Sequence, residues 1–226
     1  MTEITVEVLT NKIISALDIL EAEYHNEANP PELGHEDAID GLMLTLLSQN
    51  TNDKNRDVAF KKLKELYPTW PEVVKAGEGK IMEVIRTAGL AQTKARRMIN
   101  ILKILHDDFG EYSLKGLAGR DPDEVRSYLR ALPGVGAKTA ACVMLFDMKM
   151  PAFPVDTHVA RVTRRLGIAP KNFMPEEISR MLEVLVPPKR YLGGHVNFIA
   201  HGRKICQARS PHCEECKLRE ICSRKF

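Results

Sequence analysis

Apolar residues recur at steps of three and four along most of this chain, the spacing that lines one face of an amphipathic helix. Val6, Leu9, Ile13, Ala16, Leu17, Leu20 and Tyr24 share one such face. A Pro30-Pro31-Glu32-Leu33-Gly34 break follows and reads as a linker. Helices are then predicted over 37–47, 53–66, 80–87 and 93–109, with Asp53 and Thr93 as N-caps that offer an oxygen to first-turn amides. Pro122 suits the first turn leading into a helix over 123–131. Helices over 138–147, 155–166, 175–185 and 191–205 complete the set. No apolar–polar alternation is long enough for a strand, and no repeat of solenoid length is visible. The expected fold class is all-α.

The 226 residues suffice for one large domain or two small ones, and a hydrophobic content of 44% supports a packed core. Net charge is only +3, but its distribution is uneven. From Arg190 to Phe226, eight basic residues face three acids, leaving that tail at +5 and the rest at about −2. A local basic surface suits a polyanion, although a solvated charged terminus would look the same. Glu3 and Glu7 stand where an export leader would be basic, and no run approaches the roughly 18 apolar residues of a membrane span. A soluble intracellular protein, of cytoplasm or nucleoid, is expected.

Four of the five cysteines crowd the end of the chain: Cys206, Cys213, Cys216 and Cys222. In a reducing compartment that grouping argues for metal ligation over disulfides. Paired zinc knuckles use two Cys-x-x-Cys units, whereas here only Cys213 and Cys216 form one. The spacing favours a single 4Fe–4S cluster, whose iron corners take one sulfur each. His201 and His212 keep a mixed zinc site open. A cluster held by one terminal loop would order that segment and present Arg209, Lys217 and Arg219 outward; a redox use is the competing reading. Cys142, inside an apolar run, reads as a small buried hydrophobe.

The string Leu132-Pro133-Gly134-Val135-Gly136-Ala137-Lys138-Thr139 lies between two predicted helices. Pro133 sets one dihedral, and Gly134 and Gly136 permit turns that side chains resist. Such a hairpin can aim main-chain amides, with the positive end of the next helix, at one phosphate. Contacts of that kind position DNA without reading its bases. A helix corner used only for packing is the plain alternative. Lys138 opens the second helix, and Asp156 in Val155-Asp156-Thr157-His158 begins another, at the least as an N-cap.

Together, the hairpin with Lys138, the Val155-Asp156-Thr157-His158 stretch and the C-x6-C-x2-C-x5-C ending resemble the endonuclease III family of helix-hairpin-helix DNA glycosylases. The resemblance covers about residues 33 to 226, and His201-Gly202-Arg203 matches it too. It implies two helical domains with DNA in the cleft between them. One is a six-helix barrel at 31–147; the other joins 1–30 to 148–226 and holds the 4Fe–4S cluster on the four cysteines. It also implies a monomer acting on double-stranded DNA with damaged bases or abasic sites, the damaged base being flipped out.

By the same resemblance Lys138 is the nucleophile and Asp156 the essential carboxylate, which argues for combined glycosylase and β-elimination lyase activity on oxidised pyrimidines such as thymine glycol. The amine attacks the deoxyribose, the base leaves and a Schiff base forms. Holding an ordinary lysine, of pKa about 10.4, neutral near pH 7 costs roughly 4–5 kcal/mol. A nearby carboxylate would raise that cost, so Asp156 is expected to stabilise positive charge developing on the sugar.

Two loops are carried over as well. Leu47-Ser48-Gln49-Asn50-Thr51-Asn52-Asp53 resembles the segment that fills the hole left by the flipped nucleotide. The family pattern has Gln where this chain has Asn50, with Gln49 one place earlier, so either amide can bond the orphaned base; both could instead merely cap the next helix. Gly89-Leu90 resembles a wedge pushed between bases. Leu132, Gly134, Gly136, Thr139 and Arg209 complete the expected DNA contacts, with Thr139 serving the helix start. His158 and Arg161 are expected to support the Asp156 helix. The competing readings are the same scaffold acting on mismatched uracil or thymine, a methylated base or 8-oxoguanine; a non-catalytic DNA-binding module; and an iron–sulfur electron carrier, which leaves the hairpin and lysine unexplained.

Overall fold

A computed structural model of the chain describes residues 3–26, 28, 29, 31 and 34–223. Ten α-helices are present among them: α1 (Glu3–Glu23), α2 (Ala38–Ser48), α3 (Asp53–Leu66), α4 (Trp70–Val84), α5 (Ala91–Phe109), α6 (Pro122–Ala131), α7 (Ala137–Phe146), α8 (Thr157–Leu166), α9 (Pro175–Leu185) and α10 (Tyr191–Lys204). No strand occurs among the described residues, where pairing is limited to an isolated bridge between Asn26 and Asn29. The protein is all-α. No described helix is long and apolar enough to cross a membrane. Of the expected linker, Pro30, Glu32 and Leu33 lie outside the described residues, as do Arg224 and Lys225 of the basic tail.

The chain divides into two compact units: 1–33 with 150–226, and 34–149. In the second, α2 packs against α3, α5 and α7, α4 against α5, and α6 against α7. Leu42, Met43, Leu46, Leu63, Ile81, Met98, Leu102, Leu129 and Val143 are fully buried there, Cys142 nearly so. Asp147 closes α7 by accepting from the backbone N–H of His35 at 3.0 Å, with the ring Nδ1 at 2.9 Å. In the first unit, α10 lies on α1 and α8, and α9 meets both α1 and α8. Ile13, Leu17, Leu20, Phe153, Val159, Ile178 and Phe198 form its centre.

Three expectations about helix starts are corrected. The helix expected over 80–87 begins at Trp70 and bends at Gly77, where φ is 80°. Its start is held by Glu72, whose carboxylate accepts from the Thr69 N–H at 2.9 Å and hydroxyl at 2.8 Å. Trp70 is anchored by its Nε1 to Asp40 at 2.9 Å. Asn52, not Asp53, caps α3, accepting from the Asn55 N–H at 2.9 Å. Thr93 caps nothing: α5 starts at Ala91, because Gly89 (φ 66°) and left-handed Leu90 turn the chain into the helix earlier.

Candidate nucleic-acid interface, catalytic groups and metal centre

In the 34–149 unit the hairpin is fastened by Leu132 and Val135, both buried, and by Val135 N–H donating to the Leu132 carbonyl at 3.1 Å. Gly134 takes φ 82°, the left-handed region that glycine enters without strain. A Cβ there would meet Arg97 Cδ at 2.5 Å. Gly136 precedes α7 and supplies no side-chain cap. The first amides of α7 therefore have no capping oxygen from it, the condition under which a helix start attracts an anion. Lys138 is exposed in that first turn. Thr139 and Leu132 have buried side chains, so they can face DNA only through the main chain.

The two carried-over loops belong to this unit as well. Gln49 donates its Nε2 to the Gly134 carbonyl at 2.9 Å and accepts from Arg97 Nη1 at 3.2 Å. Its side chain is committed to the hairpin, and neither it nor Asn50 caps α3. Asn50 is exposed at φ 53° and forms the loop's tip. Leu90 sits 59% exposed at φ 47°. Between these loops Lys94, 2% exposed, donates its Nζ to the carbonyls of Leu47 and Ala88, each at 2.7 Å. Burial lowers its ammonium pKa.

In the other unit Asp156 caps α8, its Oδ1 accepting from the N–H groups of His158 and Val159 at 2.8 Å each. Arg161 braces the same helix: its Nε donates to the Cys206 carbonyl at 2.9 Å, its Nη2 to the Gly202 carbonyl at 2.8 Å. Nη2 also lies 3.0 Å from His158 Nδ1, so both residues support the helix as expected. One turn on, Arg165 Nη1 donates to the Gln207 carbonyl at 2.7 Å and to Cys206 Sγ at 3.3 Å, and Nη2 reaches the Ala208 carbonyl at 3.1 Å. The Cys222 thiol in turn donates to the Arg165 carbonyl at 3.4 Å. The helix that presents Asp156 is thereby fastened to the cysteine segment.

All four expected cysteines are half-buried, and Cys206, Cys213 and Cys222 lie near Cys216. Burial pushes the Cys216 thiol up, the Leu218 amide opposes this, and Cys206, Cys222 and Cys213 each add to the rise. His201 is buried, its Nε2 3.6 Å from Cys216 Sγ, and burial holds it neutral down to about pH 4. His212 is exposed. Among the described residues, no three His, Cys, Asp or Glu side chains are close enough to hold one metal ion. Arg203, Lys204, Arg209 and Lys217 are exposed, but two of the tail's expected cations are already paired. Arg190 binds Asp18 and Glu21 at 2.8 Å each, and Arg219 pairs with Glu214.

The profile of the HhH-GPD superfamily base excision DNA repair proteins matches residues 43–188. Endonuclease III of Thermotoga maritima is 40% identical over 183 residues, 80% of each chain. Endonuclease III of Sulfolobus acidocaldarius is 34% identical over 80% of this chain and 79% of its own. The chain belongs to the endonuclease III family. A solved structure, a trapped endonuclease III–DNA covalent intermediate in an estranged-adenine complex, superposes with a TM-score of 0.79 at 31% identity, covering 95% of this chain and 96% of that one. Sequence reasoning passed over Lys94, Arg97 and Arg165, three cations whose roles depend on distant main-chain carbonyls or side chains. No local spacing marks them.

Proposed function

We propose that the chain is a bifunctional DNA glycosylase and abasic-site lyase of base excision repair, working as a monomer on double-stranded DNA that carries oxidised pyrimidines such as thymine glycol. The observation that carries this is an exposed lysine, Lys138, in the first turn of a helix entered from a glycine hairpin. A family relative trapped covalently on DNA supports it. The hairpin amides and the uncapped start of α7 hold a phosphate. Lys138 Nζ, as the free amine, forms a bond to C1′ of the extruded deoxyribose while the bond to the base breaks and the base takes a proton. The sugar ring opens to a Schiff base. Loss of a C2′ proton then expels the 3′ phosphate, cutting the strand. Asp156 takes its two capping bonds on Oδ1. We assign Oδ2 to the positive charge that develops on the sugar.

Cys206, Cys213, Cys216 and Cys222 are the proposed ligands of a 4Fe–4S cluster. The spacing of the four, with a single Cys-x-x-Cys unit bracketed by two outlying cysteines, suits a cluster's separate iron corners better than paired zinc knuckles. The cluster, when bound, would cross-link the segment that Arg161 and Arg165 fasten to α8, and so steady Asp156. Exposed Arg209 and Lys217 are proposed phosphate contacts.

Borohydride trapping on thymine glycol, dihydrouracil, uracil, 8-oxoguanine and plain abasic duplexes tests the reading. The wild type should form a covalent adduct and prefer the oxidised pyrimidines, and Lys138→Gln should form none. An undiminished adduct in that variant removes Lys138 from the chemistry. Colourless protein with stoichiometric zinc after anaerobic purification removes the cluster.

A further inference from the structure

Lys94 is among the largest fully buried side chains among the described residues, and its two hydrogen-bond acceptors come from different elements. Leu47 lies in the last turn of α2, and Ala88 ends the 3₁₀ turn Arg86–Ala88. Both carbonyls belong to helix ends, whose last C=O groups lack partners within the helix and attract a cation. One ammonium therefore closes two helix ends at once. Each end leads within three residues to an exposed non-glycine residue with positive φ: Asn50 at 53° after Leu47, and Leu90 at 47° after Ala88. Only Lys149 and Ser210 share that conformation among the other described non-glycine residues. Backbone strain of this kind persists where surrounding bonds hold it, and it gathers at working sites.

A desolvated cation is a costly way to join two loops if the junction is merely structural. It does supply something apolar packing cannot: two short, directional bonds from one atom, which set the distance between the acceptors. We infer that Lys94 is a positioning residue that fixes the spacing of the Asn50 and Leu90 tips, so that wedge and base-reading amide enter the same gap in the duplex. The inference rests on the proposed function, with the Asn50 and Leu90 tips taken to enter the DNA as the family resemblance implies. Lys94 itself touches neither the sugar nor the lesion.

The test compares Lys94→Met, which keeps the stem and removes the donors, with wild type in the full-length protein. Two substrates are used: a thymine glycol duplex, and an abasic site in a single strand, where no partner base is left behind. Single-turnover excision from the duplex should fall by about a hundredfold, the scale of an ångström's misplacement. Borohydride-trapped adduct on the single strand should stay close to wild type. In a Leu90→Ala background the same change should cost little more, because the strut then positions a missing tip. Should the methionine variant fail to fold, Lys94→Arg, which keeps charge and donors but alters their spacing, carries the same comparison. Equal losses on both substrates, no loss on either, or full additivity with Leu90→Ala would overturn the inference. A wild type that traps on neither substrate defeats the proposed function instead. A Leu90→Ala variant that is defective beside a normal Lys94→Met defeats the strut alone.

Discussion

Gln49 donates its side-chain amide to the main-chain carbonyl of Gly134 at 2.9 Å, joining the loop after α2 to the glycine hairpin before α7. The bond divides the labour between two adjacent amides. Gln49 holds the loop to the hairpin and, through Arg97, to α5, while Asn50 is left at the tip.

Separate outcomes are therefore expected for the two. Gln49→Ala should weaken binding to abasic duplex about three- to tenfold, the scale of one or two net hydrogen bonds. Asn50→Ala should leave that affinity nearly unchanged and flatten the dependence of excision on the opposite base. Fluorescence anisotropy and a four-way opposite-base panel read the two effects. Discrimination that survives Asn50→Ala assigns base reading elsewhere.

Gly134→Ala meets two obstacles: the left-handed φ of 82° and a contact of 2.5 Å with Arg97 Cδ. The backbone strain alone costs roughly 1–2 kcal/mol. Displacing Arg97 would also loosen its hold on Gln49. Thermal denaturation should show a clear drop in Tm, and DNA affinity should fall with it. A variant with wild-type Tm and affinity would mean that the hairpin relaxes freely.

Asp156 combines a cap with a charge, and substitution can part them. Asn retains an oxygen for the His158 and Val159 amides and loses the charge; Ala loses both. Asp156→Asn should keep stability within a few tenths of a kcal/mol and lose most excision, whereas Asp156→Ala should lose about 1 kcal/mol as well. Denaturant titration beside single-turnover kinetics reads both. Full activity in Asp156→Asn would reduce the residue to a cap.

Arg165 spans the Cys206, Gln207 and Ala208 positions from α8. If the proposed cluster is bound, Arg165→Met should loosen the segment of Cys206, a proposed ligand, and speed loss of the cluster to a chelator, followed by visible absorbance. The α8 helix should become less stable in step, measured by hydrogen exchange at Val159 and Ala160. Unchanged bleaching would show that the cysteine segment keeps its shape without the arginine.

Helix identity was legible along most of the chain because periodicity is local. The Asp53–Leu66 and Pro175–Leu185 bounds follow directly from it. The start of α4 was missed because Gly77 and Gly79 interrupt the pattern, and a carboxylate three residues on holds the turn. The α3 cap shifted by one residue because adjacent Asn52 and Asp53 are chemically alike, and the α5 start shifted because Gly89 and Leu90 turn the chain without a capping side chain. Only the path of the chain selects such starts.

What the sequence determined by itself is the inventory: which segments are helical, where the glycine hairpin lies, that an amine and a carboxylate open two helices, and that four thiols share one short segment. The tertiary structure alone decided which of these groups are already spoken for. Gln49 belongs to the hairpin, Arg190 to Asp18 and Glu21, and Lys94 to carbonyls at two helix ends. The reason is physical. Periodicity and spacing act over a few residues, whereas a buried donor is satisfied by whichever acceptor the packed chain brings within 3 Å or so, and that partner leaves no trace in the neighbouring sequence.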